Sequence, residues 1–232
     1  AAFSLRSVTA WSNHRMAFGT LRLALDEKEL PQPYVWGWGG GVTLAQLHLA
    51  RLQGCQTVQI SSDERRRKAA EDLGIDTIDR AEFKDLRWDE KKYKTDPDYK
   101  ARYKAAEATF LAKVEEKTGG EGVHIFIDYV GSPVIRATQK ALARQGVLTT
   151  AGWKAGMRVW FLRAVECIER HQHIHTHYAR YSEGVQAVNF AEANGWLPTP
   201  DERIYDYDEV PQLAEDYDAG DFVYFPIYRV NE

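Results

Sequence analysis

Residues 34–54, Tyr-Val-Trp-Gly-Trp-Gly-Gly-Gly-Val-Thr-Leu-Ala-Gln-Leu-His-Leu-Ala-Arg-Leu-Gln-Gly, constrain the fold of this chain more than any other stretch. Tyr34, Val35 and Trp36 favour an extended strand. Gly37, Gly39, Gly40 and Gly41 then leave almost no side chain on the turn, and Leu44, Leu47, Leu49 and Leu52 introduce helical spacing. A strand, a glycine turn and a helix in direct succession put the helix N-terminus where backbone can approach a ligand closely, and its free N–H groups and positive dipole end suit a pyrophosphate. Gly37, Gly39, Gly40, Gly41 and Val42 are therefore the expected phosphate-binding turn. The same glycines also serve a helix that must pack tightly on a sheet, because Val42 stands where the third glycine of a G-x-G-x-x-G pattern falls.

The next strand, residues 56–60, leads into Ser61, Ser62 and Asp63, and a helix over about 63–73 carries Arg65, Arg66 and Arg67. A carboxylate at this strand tip accepts from the ribose hydroxyls of NADH, whereas the 2′-phosphate of NADPH calls for small hydroxyl donors and a guanidinium. Ser61 and Ser62 hold the tip and Arg65 and Arg66 follow within a turn. NADPH is the expected cofactor, with NADH the alternative that neighbouring Asp63 keeps open.

Further along, residues 74–79 read as a third strand. An insertion over 80–118 interrupts the rhythm with a mixed Lys/Asp run and a helix from about Tyr99, in which Tyr103, Ala106, Phe110 and Val114 share one face. Acidic residues between the lysines mark that run as a solvated loop and not a nucleic-acid patch. Residues 123–128 form an apolar strand whose carboxyl end is Asp128, Tyr129, Val130 and Gly131; a helix over 132–143 leads to a strand over 147–151 with Gly152 and Trp153 at its tip. Val130, Gly131, Gly152 and Trp153 should border the ligand, since open parallel sheets bind at the carboxyl ends of their strands. Two consecutive strand-helix units of this kind predict an α/β, doubly wound parallel sheet.

The remaining segments divide into 1–33, a leading helix with Val8, Trp11, Arg15 and Met16 near one face and a connector ending in prolines; 34–203, the nucleotide-binding unit; and 204–232, a return segment. A helix over 181–194 has Val185, Val188 and Phe190 as its expected apolar side. The aromatic tail 222–230 reads as a strand reaching for a neighbour and exposing an apolar patch, which predicts a homodimer or heterocomplex. A net charge of -4 over 232 residues gives no reason to expect nucleic acid, and two cysteines, Cys55 and Cys167, make no disulfide framework. No apolar run is long enough to span a bilayer and residues 1–30 hold no signal-type core, so a soluble cytoplasmic protein is expected.

His171, His173, His175 and His177 alternate, so in a strand they share one face. Spread along roughly 20 Å, without a carboxylate or cysteine beside them, they do not make a zinc set, and no metal is expected. The favoured reading is a strand whose last residue, His177, looks into the cofactor cleft; the alternative is a histidine that satisfies a backbone acceptor.

Residues 34–43, 61–73, 128–131, 151–153 and 208–217 together resemble the cofactor half of the medium-chain dehydrogenase/reductases. The insertion over 80–118 and the segment His175-Thr-His-Tyr-Ala-Arg-Tyr181, similar to Gly-Ser-His-Phe-Ala-Asn-Tyr, resemble the crotonyl-CoA carboxylase/reductase branch. The resemblance implies a Rossmann sheet ordered 3-2-1-4-5-6 and NADPH-dependent reduction of an α,β-unsaturated acyl-CoA or related thioester by hydride transfer. It places His177 beside the nicotinamide as the catalytic candidate. The family's N-terminal half, with the substrate wall and the zinc ligands of some relatives, has no counterpart in these residues, so a second chain or a further segment is expected to complete the site. The alternatives are a nucleotide-binding structural subunit and a quinone or alcohol reductase of the same superfamily.

Overall fold

Val35, Trp36 and Trp38 are all buried, which successive residues of a strand achieve only when both faces of the sheet are covered. The computed structural model describes residues 4–151, 155, 158–161, 168–176, 179–197, 201, 203–220 and 222–230, with side chains from residue 6 onward. In chain order the elements are α1 (Ser4–Ala24), β1 (Tyr34–Trp38), α2 (Gly41–Leu52), β2 (Gln56–Ser61), α3 (Glu64–Glu71), β3 (Asp76–Asp79), α4 (Glu90–Thr95), α5 (Pro97–Thr118), β4 (Val123–Ile127), α6 (Ile135–Ala141), β5 (Leu142–Thr149), β6 (His173–His175), α7 (Tyr181–Asn194), β7 (Ile204–Tyr205), α8 (Val210–Ala219) and β8 (Ile227–Tyr228). Six strands form one parallel sheet in the order β3-β2-β1-β4-β5-β6, and β7 and β8 make a separate parallel pair. The doubly wound α/β Rossmann order expected from the sequence is the one observed.

Alternation along β1 sorts the core. Trp36 and Trp38 join Phe83, Tyr103, Phe110, Val114 and Phe126 on the face covered by α5 and α6, while Val35 joins Leu44, Leu47, Ile75 and Ile125 on the opposite face. Asp96 caps α5 by accepting from the Tyr99 amide, Pro97 takes the first turn, and Gly119 ends the helix at φ 61°. The spacing of Tyr103, Ala106, Phe110 and Val114 thereby becomes the buried face of the insertion.

The leading helix does more than feed β1. It packs on α2, α7 and the β4–β5–β6 half of the sheet, and so covers the part of that face that α2 and α3 leave open. Its buried side carries Ala10, Trp11, Asn13, His14, Ala17 and Leu21; Met16, expected on that face, is 45% exposed. Helix α7 has the expected bounds but turns a different side inward. Ala187 and Ala191 pack with Ala10, Trp11 and Trp196, with Phe190 partly buried beside them as expected, whereas Val185 and Val188 are exposed. Strand β5 starts five residues before the sequence suggests and runs through the expected Arg144–Gly146 turn, with a register irregularity against β4 and Gln145 at φ 63°.

The C-terminal tail also differs. Only Ile227–Tyr228 is extended and paired; Tyr224 and Phe225 are buried against this chain's own glycine turn and second helix, and Phe222 is buried beside Tyr205 and Tyr217. The expected aromatic patch is therefore largely covered from within.

Gly37 fixes how closely α2 can lie on the sheet. A Cβ there would stand 2.4 Å from Thr43 Cγ2 and 3.1 Å from Ile127 Cβ. Gly37→Ala should lower unfolding free energy by about 1–3 kcal/mol through overpacking, measured by urea denaturation; an unchanged midpoint and slope would show that Thr43 yields freely.

Candidate functional site

The carboxyl ends of β1, β2 and β4 converge at the point where strand order reverses, and each contributes a different kind of group. At the tip of β1 the chain hugs its neighbour. The Gly39 amide donates to Ile60 O at 2.7 Å, and a Cβ on Gly39 would stand 3.1 Å from the same oxygen. Gly40 is the N-cap of α2 at φ 135°, ψ 159°, a region open to glycine. No side chain caps this helix. Buried Thr43 instead donates its hydroxyl to Trp38 O at 2.8 Å, which locks the first turn onto the end of β1. Gly41 and Val42 are the first two residues of α2 and line a cleft of about 770 Å³ together with Arg6, Arg66, Tyr129 and Phe225. Gly37 lies one step away, inside β1, where its role is close packing.

At the tip of β2, Ser61 is buried and its Oγ accepts from the Asp63 amide at 3.2 Å, whereas Ser62 is exposed. Asp63 is the N-cap of α3, accepting from the Arg65 amide at 2.9 Å, with the Arg65 and Arg66 guanidinia at 3.4 and 3.8 Å. Partial burial works against its ionisation, but the Arg65 side chain and the first amides of α3 outweigh that and hold the carboxyl below its ordinary range. The three consecutive arginines take separate tasks. Arg65 is the most exposed; Arg66 donates to Val223 O at 2.6 Å and Phe222 O at 3.1 Å; Arg67 ties the tips of β2 and β3 together through Ser61 O at 2.9 Å and Asp79 at 3.3 Å. Helical rotation of about 100° per residue separates them, a signal present in the sequence once the helix start is known.

At the tip of β4, the fully buried Asp128 organises the turn that carries Val130 and Gly131. Its Oδ1 accepts from their amides at 2.9 and 2.8 Å, Gly131 sits at φ 84°, and Oδ2 accepts from Thr138 Oγ1 at 3.1 Å. Thr138 in turn accepts from Trp38 Nε1 at 2.8 Å, so the turn after β4 is referenced to the end of β1. Burial pushes the Asp128 carboxyl up to about 6, against those hydrogen bonds and the positive charge of Arg80. Tyr129, the next residue, bridges two helices: its hydroxyl accepts from Asn13 of α1 at 2.6 Å and donates to Gln46 of α2 at 2.7 Å.

Thus Gly39, Gly40, Gly41, Val42, Ser61, Ser62, Arg65, Arg66, Val130 and Gly131 sit at the converging strand tips or their turns. Gly152, Trp153 and His177 lie outside the described residues. Of the histidine run, His173 and His175 form β6 and meet Gln145 Oε1 at 3.3 Å and Thr20 Oγ1 at 3.0 Å. Partial burial, with some help from His173, holds His175 below the usual histidine range. Sequence reasoning passed over Arg6, Asp128 and Phe225: the first and last reach the cleft from opposite ends of the chain, and only tertiary packing brings them together.

Residues 41–192 match the family of zinc-binding dehydrogenases. No curated protein matches the chain. Among solved structures, a crotonyl-CoA carboxylase/reductase shares 21% identity at a TM-score of 0.75, over 93% of this chain and 50% of its own. The crotonyl-CoA carboxylase/reductase AntE in complex with NADP shares 21% at 0.72, over 92% and 52%. The alcohol dehydrogenase from the hyperthermophilic archaeon Aeropyrum pernix shares 22% at 0.65, over 97% and 55%. The chain spans about half the length of these structures, and identities this low establish a common fold. The donor set of the described residues does not fit the metal in the family's description. Among the described residues no three His, Cys, Asp or Glu side chains gather as a metal site, and burial pushes the Cys55 thiol up to about 12.

Asp128 gives the turn after β4 a pH signature. Its folded pKa lies above its ordinary 3.8, so the stability contributed by the neutral carboxyl is fully present below that value and is lost as pH rises through about 6. His14 and His124, held by burial down to about 4, act oppositely: their contribution is present above the ordinary 6.5 and falls as pH drops towards 4. Comparison with Asp128→Asn isolates the carboxyl, since the amide oxygen keeps both backbone donors. The variant should gain about 1–3 kcal/mol relative to wild type on going from pH 4 to pH 7, read by urea denaturation; parallel curves would show that the carboxyl titrates alike in the folded and unfolded chain.

Proposed function

Because the chain belongs to the zinc-binding dehydrogenase family, we propose that it is the cofactor-binding part of an NADPH-dependent oxidoreductase that reduces an α,β-unsaturated acyl-CoA or a related thioester. The observation that carries the reading is the turn at residues 39–42. An uncapped helix N-terminus lies where glycines bring backbone close, directly at the switch point of the sheet. In this reading the first turn of α2 holds the pyrophosphate. Ser61, Ser62 and Arg65 receive the 2′-phosphate, with Asp63 engaged as the cap of α3 and so removed from competition for a ribose hydroxyl. Val130 and Gly131, with Gly152 and Trp153, border the nicotinamide. When bound, NADPH supplies a hydride; the protein's part is to orient the reacting groups and exclude water.

The thioester class rests on the sequence resemblance around the insertion and His177, and is in keeping with the fold shared with crotonyl-CoA carboxylase/reductases. His177 polarises the acyl carbonyl or donates a proton there, as an imidazole titrating near neutrality can. The wall on the substrate side comes from a second chain or from a segment beyond these residues. Closing that wall raises turnover by fixing the acyl group against the nicotinamide and excluding water.

Two measurements test this. Fluorescence titration should give tighter binding of NADPH than NADH. Arg65→Ala should weaken NADPH about tenfold and leave NADH unchanged, as expected for a charge-assisted guanidinium–phosphate contact; equal affinities would remove the 2′-phosphate assignment. Stopped-flow oxidation of NADPH with a short enoyl-CoA should be slow for the isolated chain and fast with its natural partner added. In the assembled enzyme His177→Asn should lose about 10²-fold in turnover while keeping NADPH affinity. Full activity of the isolated chain overturns the split site, and binding without turnover in any combination favours a nucleotide-binding subunit.

A further inference from the structure

Residues from the far end of the chain lie over the glycine turn. A Cβ on Gly41 would stand 2.6 Å from Cζ of Phe225, so that ring rests on the first turn of α2, the turn that no side chain caps. The backbone leading to Phe225 is held by two guanidinia. Arg66 donates to the carbonyls of Val223 and Phe222 at 2.6 and 3.1 Å, and Arg6 of α1 donates to the carbonyl of Tyr224 at 3.3 Å, its guanidinium 4.6 Å above the Phe225 ring. Two side chains secure the segment further: the Tyr224 hydroxyl is 2.9 Å from Gln59 Oε1 and 2.7 Å from Arg66 O, and Asp201 accepts from the Val223 amide at 2.8 Å.

Physically this arrangement is second best for the groups it covers. Guanidinia form stronger hydrogen bonds to anionic oxygens than to neutral carbonyls, and the positive end of a helix favours an anion over an aromatic ring. Both guanidinia and the helix end line one cleft, so one diphosphate can reach all three. We propose, building on the NADPH reading above, that residues 222–225 are an internal occupant of the pyrophosphate site. Arg6 and Arg66 are its cationic arms, and the dinucleotide displaces the segment and takes over their hydrogen bonds. Arg6 is thereby a cofactor-binding residue contributed by the leading helix. The segment lowers apparent affinity by the fraction of molecules in which it is docked, and any partner that draws the C-terminal tail towards itself raises that affinity without touching the cofactor.

Hydrogen exchange on the wild-type chain is the primary test. Saturating NADPH should slow exchange at Gly40–Thr43 and speed it at Val223–Phe225. Titration should show Phe225→Ala binding NADPH and inorganic pyrophosphate about tenfold tighter than wild type, the factor by which a docked fraction of about nine-tenths masks the site, and Arg6→Gln binding both about fivefold more weakly through the lost guanidinium–phosphate contact. Removing a buried ring can unfold the variant, and in that case the wild-type exchange decides alone. If wild type binds NADPH while residues 223–225 stay as protected as before and Phe225→Ala gains nothing, the internal occupant is overturned and the cofactor site stands. If neither protein binds NADPH or pyrophosphate, both readings fall together.

Discussion

The distance between β1 and α2 is the constraint on which the rest of the structure depends. Thr43 can donate to Trp38 O only because Gly37 leaves room for its methyl group, and α2 can start where it does only because Gly40 accepts a backbone angle closed to other residues. Once that helix is seated, Leu44 and Leu47 reach the sheet and the first turn of α2 lies at the sheet's end beneath the Phe225 ring. Packing and the proposed ligand binding thus draw on the same run of glycines. The two readings of the glycine pattern, a phosphate cradle and a packing device, call on different residues within it: Gly37 does the packing, and the proposed cradle needs Gly40 and Gly41, which keep side chains off the helix end.

Around that seat, buried polar groups set the positions of the strand tips. Trp38 Nε1, Thr138 and Asp128 link the end of β1 to the turn after β4, and Asn13, Tyr129 and Gln46 link that turn to α1 and α2. A hydrogen bond adds little net stability, but leaving one of these groups unpaired in the interior costs more, so each chain favours one geometry over its neighbours. The turn after β4 is held by such buried groups, whereas the tail segment is held partly by carbonyls that accept from Arg6 and Arg66.

The strands and the buried face of α5 were legible because they rest on local periodicity, and the strand order was legible through the family resemblance. Val35, Trp36 and Trp38 in one strand announce a sheet covered on both sides, and Tyr103, Ala106, Phe110 and Val114 announce a single helical face. Legibility failed where small residues or distant segments decide. Val185 and Val188 look like the apolar side of α7, yet close approach of α1 selects Ala187 and Ala191, and hydrophobicity alone does not encode proximity. Arg65, Arg66 and Arg67 read as one basic cluster until the start of α3 fixes their directions. Arg6 and Phe225 carry no local mark of a site, since what makes them neighbours is the path of the whole chain.

That path has a consequence for how the molecule is made. Ser12 of α1 donates to Glu183 of α7 across 171 residues, and Trp11 packs on Phe190 and Trp196. The leading helix is therefore synthesised long before the elements that cover it, and its docking closes some of the longest loops in the chain. At ribosomal speeds of about 5–20 residues per second, the apolar side of α1 waits on the order of ten seconds for its final partners. During that interval the nascent protein carries an uncovered amphipathic helix beside a half-built sheet, the kind of surface to which chaperones bind.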